Sequence, residues 1–76
     1  MKVSQTIYIN TNEVLEAIGD DPKKDEKVIV AYQVALLMKM NNLNPFIKVK
    51  DSQKVVIDSV EELKSGKTKV RGHINV

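Results

Sequence analysis

Residues 28–40, VIVAYQVALLMKM, constrain this chain more than any other stretch: over roughly three and a half helical turns only Gln33 and Lys39 are clearly polar. A helix that is apolar all round must be buried all round. Successive residues turn by about 100°, so Ile29, Tyr32, Leu36 and Met40 gather on one side. Val30, Val34, Leu37 and Met38 gather on much of the opposite side. Ala31 and Ala35, with Val28 nearby, form a third sector small enough for another backbone to come close. One sheet cannot cover all of this. The expectation is that the Ile29, Tyr32, Leu36 side packs on a sheet, while Val30, Val34, Leu37 and Met38 meet a second copy or another protein.

The chain has 76 residues, which makes a single small domain, 1–76. Such a domain buries only about 60% of the surface its unfolded form exposes and sits near the lower limit of independent stability. It has no cysteine, hence no disulfide framework, no thiolate metal site and no cysteine nucleophile, which fits a reducing cytoplasm. MKVSQTIYIN alternates where a secretory signal would present an unbroken apolar run. The stretch 28–40 also falls short of the roughly 20 apolar residues of a membrane span. A soluble, cytoplasmic protein with no membrane partner is expected.

Along the chain, VSQTIYI (3–9) places Val3, Gln5, Ile7 and Ile9 on one side of a strand and Ser4, Thr6 and Tyr8 on the other. Asn10 followed by Glu13 is a capping pattern, and Gly19 closes a two-turn helix over NTNEVLEAIG. Asp21-Pro22 starts a second helix, there or one turn later at Asp25, which runs to about Asn42 and stops at NNLNP. Beyond Pro45 the period becomes alternating. Ile47 and Val49 point inward, Phe46, Lys48 and Lys50 outward, DSQ turns, and KVVID returns, which predicts a β-hairpin. Ser59 and Glu62 in SVEELKSG repeat the capping pattern, so a short helix ending at Gly66 is expected. TKVRGHINV sets Val70, Gly72, Ile74 and Val76 against Lys69, Arg71, His73 and Asn75 as a final strand.

The resulting order, β-α-α-β-β-α-β, predicts an α+β fold: a small open sheet with its helices on one face, a two-layer sandwich. This order resembles that of ferredoxin-like domains and, in topology alone, the phosphocarrier domain of sugar transport. The phosphocarrier's active histidine would follow the first strand, where this chain has Asn10 and Thr11. No residue or activity is carried over.

Several apparent motifs dissolve on inspection. SGKTK (65–69) ends like a phosphate-binding loop, yet Glu61 stands where that loop needs its first glycine. His73 is the only histidine, and without a second imidazole or a thiol it cannot complete a zinc site. Asp20, Asp21, Asp25 and Glu26 lack calcium-loop spacing, have Lys23, Lys24 and Lys27 among them, and suit a helix N-terminus on dipole grounds. No catalytic, cofactor-binding or metal-binding residue is therefore expected, and no small-molecule substrate.

The net charge of +2 implies no class of partner, and Arg71 is the sole arginine, whereas base-edge readout favours guanidinium forks. Lysine and asparagine richness points to AT-rich coding, as in low-GC bacteria and their phages. The function expected is a non-enzymatic protein–protein interaction module, regulatory or inhibitory, acting through the apolar helix and forming a homodimer. The alternative is nucleic-acid binding on a basic, aromatic-bearing sheet face made of Tyr8, Phe46, Lys48, Lys50, Lys69 and Arg71.

Overall fold

The computed structural model describes residues 1–44 and 46–76. The elements are β1 (Lys2–Asn10), α1 (Thr11–Ile18), α2 (Lys24–Leu43), a single 3-10 turn (Ser52–Lys54), β2 (Val56–Glu62) and β3 (Lys67–Asn75). The sheet has the order β1-β3-β2, and both pairs are antiparallel. β1 and β2 therefore run parallel, separated by β3, and the helices lie in the crossover between them. The α+β class is as expected. None of the described helices is long and apolar enough to cross a membrane.

α1 begins where its cap predicts, whereas α2 begins at Lys24, between the two expected starts, and its N-cap residue Lys23 makes no side-chain capping bond. The Asn10 side chain accepts from the amides of Asn12 and Glu13 at 3.1 and 3.4 Å, and Gly19, at φ 68°, closes α1. Asp21 accepts from the Lys23 amide at 2.8 Å and pairs through its other oxygen with Lys27, fastening the start of α2. At the far end Asn44 is extended, with φ −136° and ψ 97°, the conformation favoured before a proline. Pro45 itself lies outside the described residues.

The core forms where α2 crosses the inner face of the sheet. Tyr32, Leu36 and Met40 of α2 meet Ile7 of β1 and Val70 and Ile74 of β3, and Ile47 and Val55 close the cluster. At its centre Leu36 is fully buried against Gly72 of the middle strand. A methyl group on Gly72 would lie 2.7 Å from Leu36 Cδ1 and 2.6 Å from the Val56 carbonyl oxygen. The missing side chain is what admits Leu36, whose burial contributes about 2 kcal/mol.

Two expected elements are absent, which leaves the order β-α-α-β-β. FIKVK is not a strand, and it makes no hairpin with KVVID. Its alternation has another cause: Ile47 is buried and Val49 packs against the same cluster, so the segment follows the helix side of the core without joining a ladder. Asp51, read as part of a hairpin turn, instead caps the 3-10 turn by accepting from the Gln53 amide at 2.9 Å.

The helix expected over SVEELKSG is also overturned, because β2 continues through Glu62. Ile57 pairs with Gly72, Ser59 with Arg71 and Val60 with Val70, so Asp58 is an extra, bulged residue. A bulge places two residues opposite one on the partner strand, which puts Ile57 and Val60 on the same face at a spacing of three. That spacing imitates a helix. The β-branched residues Val55, Val56, Ile57 and Val60 favour the strand, and a helix of under two turns has little cooperativity to oppose them. Leu63–Gly66 is then a hairpin turn, closed by Leu63 N to Lys67 O at 2.8 Å, with Gly66 at φ 87°.

Gly72→Ala should lower stability by about 1–3 kcal/mol, an overpacking cost, and depress Tm by on the order of 10 °C. Thermal unfolding followed by circular dichroism checks this. An unchanged Tm would mean that Leu36 does not sit on the central strand.

Candidate interaction surfaces

Different rows of α2 have different covers. The sheet takes the row Tyr32, Leu36, Met40. A second row, Gln33, Leu37, Asn41, lies one residue further around the helix. Here the Gln33 amide donates to the Val55 carbonyl at 2.9 Å and the Asn41 amide to the Val49 carbonyl at 3.3 Å. These two bonds bracket Leu37, which shares their helical row, so the segment before β2 runs over it. Leu37 is only 6% exposed and belongs to the core. Its placement on the free side with Val30, Val34 and Met38 is thereby corrected. The sequence shows no strand to cover that flank, because the cover is irregular chain held by side-chain amides.

What remains uncovered is a third row. Val30 is 45% exposed, Val34 40% and Met38 61%. Their spacing of four aligns them as one ridge along the outer side of α2; beside it Ala31 is partly exposed and Ala35 packs against the core. Ile29, assigned from the sequence to the sheet side, is also half exposed. It lines a separate groove of about 410 Å³ with Leu15, Val28, Tyr32 and Val60, edged by Lys24, Asp25 and Glu62.

The other face of the sheet carries no helix. Tyr8 stands opposite Lys69, Thr6 opposite Arg71 and Ser4 opposite His73 across the β1/β3 pair. Of the six residues proposed for a nucleic-acid face, only Tyr8, Lys69 and Arg71 lie on these strands. Phe46, Lys48 and Lys50 belong to the irregular segment before β2, whose inward residues Ile47 and Val49 pack toward the core. Sequence reading missed Lys39. Its ammonium donates to the Thr6 carbonyl at 2.6 Å, across the edge of β1, and the only hint was its position one turn beyond the sheet-facing Leu36.

The motifs set aside as structural have structural partners. Gly66 closes the hairpin turn ahead of β3, and Asp21 is engaged at the start of α2. His73 lies on the open face, with Nδ1 2.8 Å from both carboxylate oxygens of the bulged Asp58. The hydrogen bond to His73 holds the Asp58 carboxyl below its ordinary value of 3.8, opposed by partial burial and assisted by the charges of His73, Lys2 and Arg71.

A depressed carboxylate contributes stability that is present above its unfolded value and is lost as pH falls through the folded one. Asp58→Asn should therefore be less stable than the native chain near neutrality. The gap should close as pH falls below about 4. Urea midpoints across that range check it, and a gap independent of pH would show that the pair contributes nothing through ionisation.

Comparison with protein-family models, curated proteins and solved structures gives no match for this chain, so its functional reading rests on these surfaces.

Proposed function

We propose that this chain is a small non-enzymatic protein–protein interaction module, regulatory or inhibitory in character, whose working surface is the outer ridge of α2. The partner that suits this ridge best is a second copy of the chain. The observation that carries the reading is the row Val30, Val34, Met38, left at 40–61% exposure as three aligned apolar residues on a helix whose Tyr32, Leu36, Met40 row and Leu37 are buried. Exposed apolar residues aligned in a contiguous stripe mark interaction sites more than scattered ones do.

The ridge is also self-complementary. Val30 and Met38 lie one step of four on either side of Val34, so an antiparallel copy related by a two-fold axis sets Val34 against Val34 and Val30 against Met38. Ridges built on a spacing of four interdigitate at a crossing angle of about −50°, the commonest helix packing. The small side chain of Ala31 beside the ridge lets the partner's ridge come close. Such an isologous contact is the commonest symmetry of soluble oligomers.

Light scattering at micromolar concentration should report a dimer for the native chain and a folded monomer for Val34→Glu or Met38→Glu, because an interface that buries an unpaired carboxylate loses several kcal/mol. Leu37→Glu should instead unfold the chain, as the core position of Leu37 requires. A native chain that stays monomeric, or a Val34→Glu chain that stays dimeric, would refute the assignment of this ridge.

A further inference from the structure

We propose that the β1/β3 half of the open sheet face binds single-stranded nucleic acid, with phosphate held between Lys39 and Arg71 and a base stacked on Tyr8. Ser4, Gln5, Thr6, Tyr8, Lys39 and Arg71 line one concavity of about 330 Å³. Lys39 reaches it around the edge of β1, and its bond to the Thr6 carbonyl leaves two of the three ammonium protons for a ligand. Among the described residues neither Lys39 nor Arg71 takes part in an ion pair. The site therefore combines two cations outside any ion pair, the hydroxyls of Ser4 and Thr6, and one half-exposed aromatic ring.

The surrounding charge extends this pattern. The outward residues of β1 are Lys2, Ser4, Thr6, Tyr8 and Asn10, and those of β3 are Lys67, Lys69, Arg71, His73 and Asn75. Neither set holds a carboxylate. The carboxylates of this face sit on β2, where Asp58 is bound to His73 and Glu61 stands opposite Lys69. Lys67, Lys69 and Arg71 recur along β3 at about 7 Å intervals, a row suited to a polyanion's backbone. Tyr8 is the only large apolar group on these two strands' open side, so the surface offers an apolar protein partner almost nothing. A row of cations beside an exposed ring is the chemistry of single-strand binding, where phosphate attraction and base stacking add. A duplex presents the phosphates but keeps its bases stacked away from the ring.

Fluorescence anisotropy of a labelled thymidine dodecamer tests this with the full native chain. Saturable binding is expected at low salt. With about three phosphate contacts it should weaken roughly tenfold when salt is tripled, since each contact contributes about 0.7 to the logarithmic slope for a single strand. Tyr8→Ala should weaken it about tenfold, in line with the loss of one stacked base. Arg71→Glu should abolish it, and Lys39→Gln should weaken it severalfold, each with an unchanged circular dichroism spectrum. Lys48→Glu, which lies off this face, should leave it unchanged. The proposal is overturned by absence of binding at low salt, by equal affinity for a duplex of the same length, by a Tyr8→Ala chain that binds like the native one, or by a Lys48→Glu effect as large as that of Arg71→Glu.

Discussion

The contact of Leu36 with the backbone of Gly72 is the constraint on which the rest of this structure depends. β3 is the middle strand, so the helix that crosses it must come close enough to share a core with both neighbours. Any side chain at position 72 would strike the Val56 carbonyl and the Leu36 methyl together. With glycine there, Leu36 is sealed completely, and Tyr32 and Met40, one turn to either side, are buried with it. That seating sets the rotation of α2, and the rotation decides which of its rows remain for other covers.

From this rotation follow two features of α2. On one flank the chain between α2 and β2 is drawn along the helix by the Gln33 and Asn41 amides, which bond carbonyls that no ladder uses. This irregular cover is cheap in sequence terms and hides Leu37. On the outer side none of the described residues covers Val30, Val34 and Met38. The apolar character of residues 28–40 thus divides into a row against the sheet, a row under the connecting segment, and an exposed row, Val30, Val34 and Met38, which the proposed dimer would bury.

Much of this was legible in the residues. β1, both helices, the cap of α1 at Asn10, and the inward set Val70, Gly72 and Ile74 of β3 follow from periodicity and capping chemistry, and the structure has them; Asp21 bonds the Lys23 amide and Lys27 just ahead of α2 without being its cap. The hairpin and the short helix between residues 46 and 66 were misread for one physical reason: local spacing does not say whether a residue joins a ladder. Ile47 and Val49 alternate because they dip into the core. Val60 falls three residues after Ile57 because of the bulge at Asp58, which no local pattern announces. Leu37 looked free because its cover is irregular chain, while Val30, Val34 and Met38 lie exposed as their positions on the wheel predicted. Of the basic face, the strand residues Tyr8, Lys69 and Arg71 were visible by alternation. Lys39 was not, since its place at the β1 edge depends on where the helix crosses the sheet.

The central claim, that the outer ridges of two α2 helices meet about an axis near Val34, is most directly tested by a single cysteine. The native chain has none, so Val34→Cys introduces the sole thiol, and Lys64→Cys in the exposed hairpin turn serves as its control. Under mild oxidation at micromolar concentration, Val34→Cys should form a disulfide-linked dimer readily and Lys64→Cys should not, because a disulfide requires two Cα atoms within about 7 Å. Cross-linking at equal rates in the two variants, or none at position 34, would contradict the account.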